Sequence, residues 1–209
     1  MPGIAILSHW HTASTLLAKT FQLCGMEVGN SNTYWDEKTC SAQCEHSRLN
    51  MIGDQLSLGQ ISEQDAIVEI SRILIRYKQE SERNGWKFYG VKITHGVQSK
   101  CWAAFKYSFD TLWGDPLYVT TIRDPEGIVH STRLDSKWSD NGILDSILDA
   151  EPAVKYIEKR GVPFYFPKDW RNGMVEVKVR DIGLEWTDKA LRLLDTKRIH
   201  EVDRRGLYA

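Results

Sequence analysis

Hydroxyl side chains gather in the segment that joins the first predicted strand to the first predicted helix. Thr12, Ser14 and Thr15 lie in the run Ser8-His9-Trp10-His11-Thr12-Ala13-Ser14-Thr15, at the amino end of a helical pattern. Free backbone N–H groups and the helix dipole favour negative charge at such a place, so the segment suits a phosphate or a sulfate. A plain helix cap uses the same residue types, and the motif G-x-x-x-x-G-K-S/T of a typical NTPase phosphate loop is absent. Both readings, helix cap and anion site, stay open at this point.

A second candidate anion contact follows a later predicted strand. Arg123 comes directly after the β-rich run Leu117–Ile122, and Asp124-Pro125 then has the pattern of a helix start. Ser131 lies about two turns into this helix, so Arg123 and Ser131 could reach one anion. The alternative is that these residues have structural roles. Asp124-Pro125 would then only start the helix, and Arg123 could pair with a carboxylate.

Histidines and cysteines in the first quarter of the chain raise the question of a metal site. Cys40-x-x-x-Cys44-x-His46 could present ligands on one helical turn, and His9 and His11 are further candidates. A structural zinc site more often has a C-x-x-C knuckle and a second clear ligand pair, which this sequence lacks. We therefore expect no metal site and no structural disulfide, and we assign these residues to packing and polar contacts.

In order and spacing these motifs resemble the sulfotransferases that use 3′-phosphoadenosine 5′-phosphosulfate. In that family the first strand leads into a loop such as P-K-S-G-T-T or H-R-S-G-T-S, and His11-Thr12-Ala13-Ser14-Thr15 occupies that place. A later strand ends in R-N-P or R-D-P with a serine eight residues after the arginine, which Arg123-Asp124-Pro125 and Ser131 match. Val175–Ile182 resembles a late strand and acidic turn of the family, so the resemblance runs from about residue 4 to residue 195.

The resemblance implies that the two motifs hold opposite ends of the donor. The loop from His11 through Ala13 to Thr15, with its hydroxyl groups, would hold the 5′-phosphosulfate. Arg123 and Ser131 would hold the 3′-phosphate. The donor would be a co-substrate, and no metal is implied.

His95 and Lys92 are the candidate catalytic residues that the resemblance implies. Gly90-Val91-Lys92-Ile93-Thr94-His95 resembles the K-T-H segment in which cytosolic members keep their catalytic base. Sulfuryl transfer is an in-line displacement in which positioning and charge stabilisation dominate. A neutral His95 would take the acceptor's proton, and Lys92 would add positive charge nearby. A histidine after a strand can also be a structural, hydrogen-bonded residue, and that reading stays open.

The loop departs from the family pattern at two positions. His11 stands where the family has Lys or Arg, and Ala13 stands where it has Gly. The first change removes a permanent cation, which a protonated His11, Lys92 or Lys19 could replace. The second adds a methyl group where backbone must approach a phosphate. Both changes bear on donor affinity.

The strand and helix patterns predict the scaffold that positions these residues. Apolar and β-branched runs predict strands at Gly3–Leu7, Trp86–Ile93, Leu117–Ile122 and Val175–Val179. Helical spacing of apolar residues predicts helices ending at Gly25, over 62–84, over 97–109, from Pro125, over 143–148, over 152–159, and around Ala190, Leu191 and Leu194. The segment 26–60 is predicted to be irregular or partly helical and inserted over the site.

This alternation of strand and helix predicts a single α/β domain over residues 1–209. The expected architecture is three-layered, with a mostly parallel central sheet flanked by helices, and the resemblance implies a fold like that of P-loop nucleoside triphosphate hydrolases. Ligands of such sheets bind beyond the carboxyl ends of the strands, where the loops described above are expected.

Charge and composition exclude several classes of protein. The chain has 27 basic and 28 acidic side chains, and this balance argues against binding of long nucleic acid. No run approaches the roughly 18 uncharged apolar residues of a membrane span, and the amino terminus has no export signal. We expect a cytoplasmic protein with reduced thiols that does not interact with a membrane.

The expected function is transfer of a sulfuryl group from 3′-phosphoadenosine 5′-phosphosulfate to a hydroxyl or amine of a small molecule or a glycan. One alternative is a small-molecule kinase of the same fold, which would need a Mg²⁺ site and a cationic loop. The other is a non-catalytic descendant that binds a nucleotide or a partner protein. The sequence leaves the acceptor and the oligomeric state undetermined.

Overall fold

The computed structural model describes most of the chain up to residue 166 and a short piece beyond it. The described residues are 3–23, 25–27, 35–36, 41–42, 45–86, 89–133, 140–166 and 178–179. Most of the strand predicted at Val175–Val179 and the whole of the last predicted helix lie outside them. The extent of the domain, residues 1–209, therefore stays a prediction.

The centre of the fold is a five-stranded sheet whose members are β1 (Ile4–Leu7), β4 (Gly90–Ile93), β5 (Leu117–Arg123), β6 (Val162–Phe166) and β7 (Lys178–Val179). The strand order is β4-β1-β5-β6-β7. β4, β1, β5 and β6 run parallel, and β7 is antiparallel to β6. The short strands β2 (Trp35–Asp36) and β3 (Ser41–Ala42) form a separate antiparallel pair. The predicted α/β class with a mostly parallel sheet is confirmed.

β1 lies between β4 and β5, which explains why its sequence has no polar residue. All four residues of β1 are buried, and Ile6 is paired in register with Lys92 on one side and Val119 on the other. A strand covered on both faces needs apolar side chains at every position. The carboxyl end of β1 therefore opens between the ends of two parallel neighbours.

Seven helices are described: α1 (Ser14–Leu23), α2 (Ser47–Ser57), α3 (Glu63–Asn84), α4 (Ser99–Trp113), α5 (Pro125–Arg133), α6 (Asp140–Asp149) and α7 (Glu151–Arg160). The predicted start of α3 is confirmed, because the Ser62 hydroxyl accepts a hydrogen bond from the backbone N–H of Asp65. Its predicted end is also confirmed, because Gly85 has φ 66 and adopts the left-handed conformation of a helix C-cap. Within the described part of the chain, no helix combines the length and the apolar character that crossing a membrane requires.

Helices cover both faces of the sheet. On one face, Ile4 and Ile6 pack with Leu17 and Ala18 of α1 in a small apolar cluster. On the other face, alternate residues of the same strands join a larger cluster with α2, α3, α4 and α7. Phe105 of α4 is fully buried there, and such a side chain contributes about 2–3 kcal/mol to stability.

The structure adds elements that the sequence prediction did not locate. Residues 47–57 form a regular helix, α2, whose Leu49, Ile52 and Leu56 are buried in the larger cluster. Segment 26–60 was predicted to be irregular or partly helical, and this helical part of it belongs to the core. The strand β6 was also not predicted, and it extends the parallel sheet beyond β5.

Candidate functional site

Polar side chains line the α1 face of the sheet at the carboxyl ends of the strands. Lys92 of β4 lies on the same face as its register partner Ile6, which belongs to the small cluster under α1. Thr121 and Arg123 alternate with Val119 along β5 and so lie on this face too. Lys92 and Arg123 are 2% and 6% exposed. A face that only packed against α1 would be apolar here, so this end of the sheet indicates a polar site.

The loop between β1 and α1 covers this polar end of the sheet, and its backbone is unusual. His11 has φ 56 and Ala13 has φ 64, and within the described residues no other non-glycine residue has a positive φ. Left-handed backbone costs an L-residue about 1–2 kcal/mol and persists only where surrounding contacts enforce it. Thr12, between them, has a negative φ, so the sign of φ alternates along the loop.

Thr12 fixes the centre of the loop to the sheet. Its hydroxyl donates to the carbonyl oxygen of His9 at 2.7 Å and lies 2.6 Å from the hydroxyl of Thr121. Thr12 is fully buried, and both contacts occupy its side chain. Of the predicted loop ligands, Thr12 can therefore offer an anion its backbone N–H group and not its hydroxyl.

His9 ties the start of the loop to α6. Its Nδ1 lies 3.0 Å from the carbonyl oxygen of Trp10, and its Nε2 lies 2.7 Å from the hydroxyl of Ser146. Burial lowers the pKa of His9 to about 4, and the charges of His11 and His95 act in the same direction. A neutral ring with its proton on Nδ1 donates to the Trp10 carbonyl and leaves Nε2 as an acceptor beside the Ser146 hydroxyl, which also lies 2.8 Å from the Ile143 carbonyl oxygen.

Arg123 and Ser131 both contact His11. Arg123 donates from Nη1 to the His11 carbonyl oxygen at 3.0 Å, and the Ser131 hydroxyl lies 3.2 Å from His11 Nδ1. A Cβ atom on Gly127 would lie 2.9 Å from Arg123 Nε, so the guanidinium packs directly on the first turn of α5. The structure thus brings the two predicted anion motifs together through one residue.

Lys92 contacts the amino end of α1 at Thr15. Its ammonium group donates to the Thr15 hydroxyl at 2.9 Å and to Glu45 Oε1 at 2.8 Å. The other carboxylate oxygen of Glu45 accepts from the Asn50 amide at 2.6 Å, and Asn50 Oδ1 accepts from the backbone N–H of Thr94. The Lys92 and Glu45 side chains are 1% and 14% exposed, which makes this a largely buried ion pair. A cation therefore lies beside the loop, with a carboxylate as its partner.

His95 is linked to the same loop through Trp10. The Trp10 indole N–H donates to His95 Nε2 at 3.1 Å, and Asp54 Oδ1 lies 2.9 Å from the same nitrogen. One ring nitrogen either accepts from Trp10 or donates to Asp54, so these contacts belong to different proton positions. His95 Nδ1 is buried and has no hydrogen-bond partner within the described residues.

The predicted site residues therefore fall into three connected groups. His11, Arg123 and Ser131 form one, Thr15 and Lys92 form the second, and His95 is joined to the loop by Trp10. The remaining predicted loop residues lie between the first two groups: Thr12 and Ser14 are buried, and Ala13 packs partly buried against the small cluster. Lys19, the other predicted substitute cation, lies on α1, where its side chain is outside the described part.

His46 has a structural role that differs from the metal reading. It is the N-cap of α2, and its Nδ1 accepts the backbone N–H of Leu49 at 3.3 Å. Burial lowers the pKa of His46 to about 4, so the ring is neutral at physiological pH. Cys40 and Cys44 lie outside the described residues, and inside them no three His, Cys, Asp or Glu side chains come together as metal ligands.

Three contacts of the site were not predicted from the sequence. Glu45 and Asp54 pair with residues 47 and 41 positions away, and no local pattern gives such a partner. Thr121 was within reach of sequence reasoning, because the alternation of a strand places it on the same face as Arg123.

An open groove of about 770 Å³ lies at the opposite end of the sheet, before β4 and β5 begin. Trp86, Tyr89 and Trp113 form its aromatic side, with Lys78, Glu82 and Asp115 among the polar residues. It shares no residue with the loop, Lys92, Arg123 or His95. Parallel sheets bind ligands beyond their carboxyl ends, so the loop is the better candidate site.

No protein-family model matches this chain, and no curated protein is significantly similar to it. The candidate site is therefore defined by its own geometry. It is a loop with two residues in left-handed backbone conformation, it lies at a helix amino terminus, and two buried cations flank it.

Proposed function

We propose that this protein is a sulfotransferase that uses 3′-phosphoadenosine 5′-phosphosulfate, on a fold of the P-loop nucleoside triphosphate hydrolase type. The observation that carries the proposal is the loop between β1 and α1. It begins the helix α1, it has Lys92 at Thr15 on one side, and it has Arg123 and Ser131 at His11 on the other. Two cationic groups thus flank one anion-binding segment, as a donor with two separate anionic ends requires.

The loop backbone supports binding of the phosphosulfate end. Successive residues with φ of alternating sign turn their N–H groups toward one side, and such a concave nest binds anions. The amino terminus of α1 adds its dipole at Ser14 and Thr15. In this proposal the Thr12 hydroxyl holds the loop, while the backbone N–H groups and the Thr15 hydroxyl bind the anion.

The two buried cations, Arg123 and Lys92, support binding of a highly charged donor. Arg123 always carries its charge, it packs on Gly127 of α5, and like Ser131 it contacts His11. Lys92 contributes a second positive charge at Thr15, although Glu45 neutralises part of its field in this state. A bound phosphosulfate would compete with Glu45 for Lys92, so binding requires some movement of the Glu45 carboxylate.

The chemistry is displacement at sulfur. The acceptor oxygen or nitrogen forms a bond to sulfur, the bond from sulfur to the bridging phosphate oxygen breaks, and the acceptor proton passes to a base. His95 is the proposed base. To act, its Nε2 must exchange the Trp10 N–H for the acceptor's O–H or N–H, so acceptor binding and the position of Trp10 are coupled.

One alternative has an observation in its favour. A non-catalytic protein that binds a nucleotide would retain the loop, Arg123 and Ser131, and it could tolerate Lys92 paired to Glu45 and His95 held by Trp10 and Asp54. Donor binding does not separate this alternative from the enzyme, whereas turnover does. A test must therefore measure both.

The test begins with calorimetric titration of adenosine 3′,5′-bisphosphate, the product form of the donor, and of ATP with Mg²⁺. Binding of the bisphosphate is expected, and stronger binding of ATP would favour the kinase. Arg123→Ala is expected to raise Kd at least about tenfold, since it removes a charged hydrogen-bond donor. Arg76→Ala, at an exposed arginine of α3, is the matched control and should leave Kd unchanged. Ser131→Ala is a milder second variant in case Arg123→Ala does not fold.

Turnover is measured with labelled donor and a panel of hydroxyl, amine and glycan acceptors. His95→Ala should keep bisphosphate affinity and lose product formation, whereas His130→Ala, at an exposed histidine of α5, should lose neither. Failure of the wild type to bind the bisphosphate rejects the proposal. Binding without turnover on any acceptor supports the non-catalytic alternative, and an unchanged rate in His95→Ala rejects that residue as the base.

A further inference from the structure

The side chain of His11 contacts α5, and not the end of the loop at which a cation would serve the phosphosulfate. The resemblance aligns His11 with a Lys or Arg that serves the phosphosulfate end of the donor. In the structure its imidazole Nδ1 instead lies 3.2 Å from the Ser131 hydroxyl, on α5. Lys92 is the cation found at the phosphosulfate end, through its contact with Thr15.

The backbone of His11 is held in the same direction. Its carbonyl oxygen accepts from Arg123 Nη1 at 3.0 Å, and its φ of 56 is uncommon for a residue other than glycine. Two independent contacts, one from the backbone and one from the ring, thus join His11 to the β5–α5 connection. This residue therefore belongs spatially with Arg123 and Ser131.

The surroundings of this group favour an anion. The Arg123 guanidinium packs against the first turn of α5, where a Cβ on Gly127 would meet it. The amino terminus of that helix adds positive potential. Of the two acidic residues nearest in sequence, Asp124 faces the helix start, because its Oδ1 accepts the backbone N–H of Glu126, and Glu126 is exposed. A guanidinium, a hydroxyl and an imidazole N–H are the donors that a phosphate group accepts.

We propose that His11 is a ligand of the donor's second anionic group, the 3′-phosphate, together with Arg123 and Ser131. This inference rests on the proposed function and makes it more specific: His11 is the residue that selects nucleotides with a 3′-phosphate over those with a 3′-hydroxyl. The phosphosulfate end is then served by the loop N–H groups, Thr15 and Lys92.

The experiment compares two nucleotides that differ only in the 3′-phosphate. Adenosine 3′,5′-bisphosphate and adenosine 5′-monophosphate are titrated calorimetrically into the wild type, His11→Ala, His11→Gly, Thr15→Ala and His130→Ala. His11→Gly is included because glycine adopts a φ near 56 without strain and so preserves the loop if alanine does not. His130→Ala is the matched control, since His130 is an exposed histidine on α5 next to Ser131.

Both His11 variants are expected to raise Kd for the bisphosphate about tenfold, the effect of losing one hydrogen bond to a charged group, and to leave Kd for the monophosphate unchanged. Thr15→Ala should weaken both nucleotides by the same factor, and His130→Ala should weaken neither. Equal weakening of both nucleotides by the His11 variants, no weakening, or tighter binding of the bisphosphate overturns the inference alone. A wild type with no preference for the bisphosphate overturns the proposed function as well.

Discussion

Ala13 occupies a backbone conformation that alanine rarely adopts. Its φ of 64 is left-handed, and a Cβ in that region approaches the following carbonyl oxygen. The loop of the sulfotransferases it resembles has glycine at this position, and glycine is free of that strain. Ala13 thus adopts a backbone conformation that glycine at the same position would adopt without strain.

Ala13→Gly is expected to stabilise the folded protein by up to about 1 kcal/mol. The substitution removes the strain of a left-handed alanine, and this gain exceeds the greater freedom of glycine in the unfolded chain. Loss of the methyl contact with the small cluster under α1 offsets part of it. The free energy of unfolding, measured by denaturant titration, checks the expectation.

Ala103→Gly is the matched control, because Ala103 is an exposed alanine inside the helix α4. There glycine is expected to destabilise the protein by about 1 kcal/mol, through the entropy of the unfolded chain. The two alanine-to-glycine changes should therefore have opposite signs. A loss of stability in Ala13→Gly as large as in Ala103→Gly would show that the loop is not strained.

At the scale of the elements, the sequence predicted the strands that carry the site. The unbroken apolar run of β1 and the β-rich run of β5 are strong patterns, and so Arg123 and the loop after β1 were assigned to one edge of the sheet. The helix start at Asp124-Pro125 was equally clear, and it is confirmed by the Asp124 contact to the Glu126 N–H. Local patterns of this kind determine where side chains leave the sheet.

Segment 26–60 was predicted to be irregular or partly helical, but the position of the helix α2 within it was not predicted, because its sequence has weak local signals. Its N-cap is His46, which is not among the usual capping residues, and Gly53 stands in its middle. The structure supplies the reason for Gly53: a Cβ there would lie 3.1 Å from the Cβ of His95. A long-range contact thus selected a residue that weakens the local helical pattern. β6 was missed for a related reason, since Pro163 in its sequence argues against an interior strand.

α2 is expected to behave as a core element. Leu49 is fully buried, and Leu49→Ala should lower the free energy of unfolding by about 2–4 kcal/mol through lost burial and a cavity. Met51, two residues away and 49% exposed, is the matched control, and Met51→Ala should change stability by less than about 0.5 kcal/mol. Similar small effects of both substitutions in denaturant titration would return α2 to the status of a surface insertion.

Across the whole molecule, charge is balanced overall and concentrated locally at the site. The net charge of −1 argues against long nucleic acid as a partner, and the site nevertheless holds two cations that are almost fully buried. From the sequence we expected this positive charge to be local, carried by Arg123, by two helix amino termini and by His11 or Lys92. The sequence held no sign of the Glu45 carboxylate on Lys92, because an ion pair across the fold depends on tertiary structure.

Two neutral histidines make the stability of the molecule depend on pH. Burial lowers the pKa of His9 and of His46 to about 4, from 6.5 for an unperturbed histidine. His9 joins the loop to α6, and His46 begins α2 beside β4, where its backbone N–H donates to the Lys92 carbonyl. Protonation of these rings would therefore weaken the contacts of His9 with α6 and of His46 with the first turn of α2, which lie on the two sides of the candidate site.

Stability is expected to fall as the pH drops from 6.5 to 4. In this range the unfolded chain takes up a proton at each histidine while the folded chain does not. Across the whole range each histidine therefore lowers the free energy of unfolding by about 3 kcal/mol. Well above pH 6.5 both states are unprotonated at these histidines, and neither contributes a pH dependence. Denaturant titrations at pH 7.5, 6.5, 5.5 and 4.5 measure the profile. Asparagine suits the tests, since in His46→Asn it can still cap α2 and in His9→Asn it can still donate to the Trp10 carbonyl.

Each asparagine variant should remove about 1.4 kcal/mol per pH unit from the steepest part of the profile, and the double variant about twice that amount. Differences from the wild type are compared because the carboxylates contribute to both curves below pH 5. His130→Asn, at an exposed ring on α5, should leave the profile unchanged. If the double variant follows the wild-type curve, then His9 and His46 take up protons as readily in the folded protein as in the unfolded chain, and the contacts that tie the loop and α2 to the fold do not depend on their neutral rings.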